Sequence, residues 1–295
     1  VKRSLVAACA VAFVSAPKIA SACAVCAASD PTMTAAGAEQ PFAKRLRLDV
    51  EALVGGVSEG AADGRWLALD DRRLALTLAY APSRDVLVSL VLPTLDRTLY
   101  DGPKHTTTLT LGDVDLRVYD VAWRRDGTTR RRLAFLAGAR GPTAPIERDS
   151  FGVPLPVELQ PGCSSIAPYV GAAYIAERGR LSTQLSAVLV LPFSVREAPH
   201  AGDSLRASAW LQVQPVQTIA TRFGVRARVD GTGELSPGVP DLNSGGFAGY
   251  VASDIVVSPA EDVVVSVGGA FPVVQAWLGE HRETAIASAQ VAYDF

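Results

Sequence analysis

The chain has 295 residues, 48% of them hydrophobic, 20% charged and 7% aromatic, with 25 Gly, 19 Pro and a formal charge of −2. That length can bury a sizeable core in one or two domains, and the apolar content excludes general disorder. The near-neutral charge argues against an electrostatic nucleic-acid binder.

Residues 1–22 read as a secretory signal peptide. Lys2 and Arg3 form a basic start, Ser4–Pro17 is uncharged, and Ala20-Ser21-Ala22 is a small-x-small cleavage pattern. The expectation is export into a Gram-negative envelope. Residues 23–42 are expected to form an N-terminal periplasmic segment. It opens on Cys23-Ala-Val-Cys26, for which three readings stand. A c-type haem site needs His after the second Cys, and position 27 is Ala. Lipidation would acylate Cys23, although Ala20 stands where Leu is usual. A local disulfide in an oxidising compartment is the plainer reading. Cys163 is then either free or bonded to one of that pair.

From residue 43 to 295 the apolar period is two, the mark of strands with unlike faces. In Leu46-Arg47-Leu48-Asp49-Val50-Glu51-Ala52 one face is apolar and the other charged. Leu74, Leu76, Leu78 and Tyr80 alternate with Ala75, Thr77 and Ala79, and Leu205, Leu211 and Val213 oppose Arg206, Gln212 and Gln214. Val225, Ala227 and Val229 oppose Arg222, Arg226 and Arg228. Helical membrane spans are absent from this pattern. A spanning helix needs about 20 apolar residues, and the longest uncharged stretches here, 159–176 and 263–279, are broken by Gly and Pro.

Twelve strands are expected, near 43–54, 72–81, 86–92, 113–123, 131–140, 167–177, 180–191, 204–214, 218–229, 246–257, 263–271 and 284–295. Connections after even-numbered strands are short, as in Pro82–Asp85 and Arg178-Gly179. Those after odd-numbered strands are mostly long and rich in Gly, Pro and Asp, as in Pro93–Gly112, Gly141–Ile166, Asp230–Gly245 and Pro272–Glu283. Short periplasmic turns, long outer loops and an even strand count characterise outer-membrane barrels. Soluble sandwiches have no reason to keep that asymmetry. The last strand carries Val291, Tyr293 and Phe295 on one face, and this aromatic ending resembles the assembly signal of bacterial outer-membrane proteins. The fold class expected is all-β, a transmembrane antiparallel up-and-down β-barrel of about twelve strands.

Several segments gain meaning from their order. Tyr80-Ala81-Pro82-Ser83-Arg84-Asp85-Val86 precedes Leu92-Pro93, then Leu111-Gly112-Asp113-Val114, then Ala137-Gly138-Ala139-Arg140-Gly141-Pro142-Thr143. Leu159-Gln160-Pro161-Gly162-Cys163-Ser164-Ser165 follows, and then Gly171 to Tyr174. Together these resemble the outer-membrane transporters named for the meta-pathway of phenol degradation, relatives of the fatty-acid and hydrocarbon channels. In that family a Gly-Asp step opens a strand, Pro-Thr-Gly closes one, and a Gln-Pro-Gly-x-Gly-Ser loop leads into the next. Here Ala144 follows Thr143, and Cys163-Ser164 replaces the small residue and Gly. The resemblance runs over residues 43–295. It implies a twelve-stranded barrel and passage of small apolar or aromatic solutes.

The residue chemistry points to passage rather than catalysis. His105, His200 and His281 fall in three separate connections with no His-x-Ser motif, which fits solvated loop residues better than a hydrolase or a metal site. No phosphate loop of a recognised type is present, and no cofactor or metal is expected. With apolar residues on lipid, Arg45, Arg47, Asp49, Glu51, Arg117, Arg206, Arg222, Arg226 and Arg228 point inward. They form either a basic constriction that draws anionic or aromatic solutes, or a set of ion pairs with inward acids such as Asp49, Glu51 and Asp254. The run Arg130-Arg131-Arg132, with Arg124 and Arg125, reads as a solvated turn at the membrane interface. The expected function is passive, ATP-independent passage of small solutes by a monomeric outer-membrane barrel that contacts lipid and the barrel-assembly machinery. The alternatives are a closed barrel with a structural or partner-binding role and, behind it, a lipid-hydrolysing enzyme.

Overall fold

In the computed structural model the described residues are 43–60, 66–195, 198–236 and 238–295. The segments 1–22 and 23–42, with Cys23 and Cys26, therefore lie outside them. The strands are β1 (Leu46–Gly60), β2 (Trp66–Tyr80), β3 (Val86–Asp101), β4 (Lys104–Leu111), β5 (Asp115–Arg125) and β6 (Arg130–Arg140). They continue as β7 (Ser165–Arg178), β8 (Leu181–Val190), β9 (Phe193–Ser194), β10 (Ser204–Val216), β11 (Ile219–Asp230) and β12 (Glu234–Ser236). The last are β13 (Val239–Pro240), β14 (Gly246–Ala260), β15 (Val263–Trp277), β16 (His281–Glu283) and β17 (Ile286–Asp294).

These strands build twelve antiparallel staves. β1 pairs with β2 on one side and with β17 on the other, through Leu48↔Tyr293 to Val54↔Ala287, which closes the sheet into a barrel. Three staves are interrupted. β4 and β5 share one stave, pairing with opposite halves of β3 and separated at 112–114. β16 and β17 form another, both pairing with β1. β8 and β9 form the third, both pairing with β7. Closure pairs every one of the twelve staves on both sides, the condition a sheet must meet in hydrocarbon. Among the described residues it leaves an unpartnered edge where β4 extends beyond it on β3 alone.

Side-chain alternation divides the wall. Leu74, Leu76, Leu78 and Tyr80 on β2 are exposed on the outside, as are Val225 and Val229 on β11, and Val291 and Tyr293 on β17. The opposite face is buried and carries Arg47, Asp49, Arg73, Asp115, Arg117, Arg206 and Arg228. A charge costs about 2–4 kcal/mol on the lipid side at mid-membrane and far less in a polar interior, so the alternation fixes which face is which. Close approach fixes some glycines. A Cβ at Gly138 would lie 2.4 Å from the Tyr169 ring and 2.5 Å from the Leu116 carbonyl oxygen. Gly138 therefore lets Tyr169 lie flat across the wall.

The strands run further than the apolar pattern indicates. The stretch Pro93–Gly112, expected as a loop, is a hairpin of β3 and β4 with its turn at Gly102 and Pro103. Pro93 is accommodated because it sits where the neighbour of β3 changes from β5 to β4, and its carbonyl accepts the Gly112 N–H at 2.9 Å. Likewise β1 continues to Gly60, β2 begins at Trp66 and β15 continues to Trp277. In this upper part the outer face turns polar, with Asp70, Arg72 and Asp96 outside and Arg72 Nη1 3.8 Å from Asp96 Oδ2. The region 231–245 also holds the small hairpin β12–β13. At the other end the connections 126–129, 179–180, 217–218 and 261–262 are tight turns.

Candidate functional site: the charged barrel interior

The interior is assembled from alternate residues of neighbouring staves, so its charges meet across strands rather than along the chain. Nearest the turn end, Arg47 on β1 grips Asp294 on β17 in two parallel hydrogen bonds, Nε to Oδ1 at 2.6 Å and Nη2 to Oδ2 at 2.7 Å. This is the fork geometry that suits guanidinium and carboxylate. Asp49, two residues further, accepts a hydrogen bond from the Gln290 amide, and Ser266 donates to Gln290 Oε1 at 3.3 Å. On the wall of β5 and β7, Asp115 accepts from Arg117 Nη2 at 2.9 Å and from the Tyr169 hydroxyl at 2.5 Å.

Across the lumen stand the three arginines of β11. Arg222 Nη2 lies 3.0 Å from Asp254 Oδ2. The guanidinium carbons of Arg222 and Arg226 lie 5.7 Å and 4.8 Å from the Trp210 ring centroid, within cation–π range. Arg228 Nε is 2.5 Å from Asp230 Oδ2, its other end contacts Glu283, and its guanidinium lies 5.0 Å from the Trp277 ring. Arg206 donates to Ser204 Oγ at 3.2 Å, and Ser204 in turn donates to Asp230 at 2.5 Å.

Glu51, Arg222, Arg226, Asp254, Ser266 and Gln290 border one narrow cavity of about 20 Å³. Arg140, Cys163, Ser204, Arg206 and Asp230 border another of about 30 Å³. Each is little larger than the space one water requires. A wider polar vestibule of about 520 Å³ opens inside the turn end, lined by Thr128, Arg130, Glu177, Arg180, Gln212 and Gln214 among others. The interior thus presents opposing charges on a closed wall, with a polar approach from the turn end.

Each residue singled out from sequence can now be placed. Arg47, Asp49, Glu51, Arg117, Arg206 and Arg228 are buried inside the barrel, and Arg222 and Arg226 are half-buried on the same face. Arg45 pairs with Asp262 at the turn end. Tyr293 and Phe295 are exposed on the outer face, their rings 4.7 Å apart and edge-on. The amide and thiol of Cys163 both lie on Asp113, at 2.6 and 3.2 Å. His200 and His281 depart from the expected solvated loops, whereas His105 is solvent-exposed near the tip of the β3–β4 hairpin. His105 lies in β4, and His281, in β16, is buried against Trp277 at 4.6 Å with Nε2 3.4 Å from Glu283 Oε1. Continuation of the last two staves above the apolar band is what encloses it. His200 is partly buried and lies 3.7 Å from Glu234. Among the described residues no group of three or more His, Cys, Asp or Glu is arranged to hold a metal.

Several interior residues escaped the sequence reading. Trp210 sits in series with Arg206, Ser208 and Gln212 on the polar face, so its spacing carried the signal. Arg97 and Glu147 did not show, because both fell in segments expected to be loops. They form an ion pair at 2.7 Å. Burial raises the Glu147 carboxyl above its ordinary range, and the charge and hydrogen bond of Arg97 oppose that shift.

No protein-family model matches this sequence, and no curated protein does. The fold does have solved counterparts. An outer membrane channel from Pseudomonas putida F1 superposes with a TM-score of 0.65 at 12% identity, covering 86% of this chain and 96% of that one. The transport unit of the autotransporter AIDA-I from Escherichia coli gives 0.52 at 11% identity, covering 92% and 97%. At this identity the likeness is one of fold, and the fold is that of the outer-membrane β-barrels.

Proposed function

We propose that the protein is an outer-membrane channel that lets small solutes pass passively through its interior. The observation carrying this reading is the combination of a closed wall, apolar outside, with a charged interior that opens at one end into a polar vestibule of about 520 Å³. An apolar exterior places the barrel in a membrane, and the outer membrane is where such barrels reside. Interior charges arranged as Arg222–Asp254 and Arg228–Asp230 pairs favour small hydrophilic solutes. The apolar or aromatic solutes implied by the family resemblance find one aromatic platform on the inner wall of β10, Trp210, which already carries two guanidinium groups.

A second reading, a closed barrel with a structural or partner-binding role, is favoured by one observation. The cavities beside the β11 arginines are only about 20 and 30 Å³. Single-channel recording decides between the two. Replacing Arg222, Arg226 and Arg228 together with Ala removes three positive charges beside Asp254, Asp230 and Glu283. The expected result is a reversal potential displaced toward cation preference in a salt gradient. Folded, inserted protein that gives no conductance would favour the closed barrel, and selectivity identical to that of the parent protein would mean that these arginines serve only as paired packing.

A further inference from the structure

The connection 141–164 is built more firmly than a solvated loop requires. Both of its limbs are tied to one residue, Asp113, in the break between β4 and β5. Asp113 Oδ1 accepts the Ala144 N–H at 3.0 Å, and Oδ2 accepts the Cys163 N–H at 2.6 Å. Gly162 gives this carboxylate room, since a Cβ there would lie 2.4 Å from it. Gln160 staples the interior of the loop. Its side chain accepts the Glu147 N–H at 2.9 Å and donates to the carbonyls of Glu147 and Leu155 at 3.0 and 2.8 Å. At the tip, Asp149 Oδ1 accepts the N–H groups of Phe151 and Val153 at 2.8 and 2.9 Å.

The loop so constructed faces into the barrel. Leu155 and Leu159 pack against Val57, Leu67, Leu69 and Leu95 in one buried cluster. Leu67, Leu69 and Leu95 share the inward alternation of Asp71, Arg73 and Arg97 on β2 and β3, so this cluster lies within the mouth. Arg97, only 1% exposed, donates to Glu147 Oε2 at 2.7 Å and to the Leu159 carbonyl at 2.7 Å. An apolar seat and one buried guanidinium thus hold the loop from the wall.

Resting on the channel reading above, we infer that loop 141–164 is a constriction at the mouth of the passage, in series with the narrow cavities beside the β11 arginines. It occupies the side of the mouth over β1–β3, and Arg97 together with the leucine seat keeps it there. A solute is admitted or refused by the space the seated loop leaves, before it reaches the β11 arginines.

The test moves the loop without altering a strand. Leu155→Asp with Leu159→Asp places two carboxylates in the apolar seat, a burial that costs enough to expel the loop. Refolded parent and variant are compared in two ways, each first shown to be folded by heat-modifiable gel migration. One is single-channel conductance. The other is labelling of Leu69→Cys by a bulky, membrane-impermeant maleimide, read against the same protein without that substitution to account for the native cysteines. The expected result is a severalfold rise in conductance and labelling faster by about tenfold or more. Unchanged conductance and equal labelling would overturn the inference. Faster labelling with no conductance in either protein would uphold the seated loop and overturn the channel reading instead. Should the double variant not fold, residues 146–159 replaced by a short Gly-Ser link provide the same comparison.

Discussion

Arg47 and Asp294 illustrate what a charge inside this barrel requires. The two are 247 residues apart in sequence and meet only because the last stave closes on the first. Removing one partner leaves the other buried, which typically costs about 3–5 kcal/mol. Asp294→Asn should therefore lower the urea midpoint of the heat-modifiable form markedly, and a midpoint within error of the parent would contradict the assigned pair. The alternation of β1 already separates Arg47, Asp49 and Glu51 from Leu46, Leu48 and Val50 in the sequence. The partners could not be read there. Which acid faces which arginine depends on strand register across the closed sheet, and the period of two carries no register between distant segments.

At the scale of elements, the apolar alternation reports the lipid-facing band rather than the strands themselves. It fades after Val54 on β1, before Leu74 on β2 and after Leu92 on β3, and the expected strands were bounded close to those points. The observed strands continue, because above the band the outer face of a barrel can be polar while its ladder of hydrogen bonds persists. The β3–β4 hairpin was hidden for this reason, and by Pro93, which resembles a terminator unless the break in the neighbouring stave is known. The loop 141–164 was legible as a loop, but its inward direction was not. That direction comes from Asp113, Gln160 and Arg97, three residues contributed by three different segments. Asp113→Ala removes the acceptor that fixes both limbs. The loop should then be cleaved markedly faster by a protease added to the refolded protein, with the barrel core left resistant. Equal cleavage rates would show that the clamp does not hold the loop.

For the whole molecule, 48% hydrophobic residues do not mean a large apolar core. The barrel is turned outward, with leucines, valines and aromatics on its exterior and ion pairs within, so the composition that suggests a globular interior instead describes a surface made for lipid. The same inversion links fold to function, because a polar interior is the only route that a closed, apolar-walled cylinder offers to a hydrated solute. The most direct test is planar-bilayer recording with refolded protein whose heat-modifiable migration shows it to be folded. The account predicts discrete conductance steps, larger when Leu155 and Leu159 are both Asp. Folded protein that inserts yet gives no steps, in the parent and the loop-released variant alike, would contradict it.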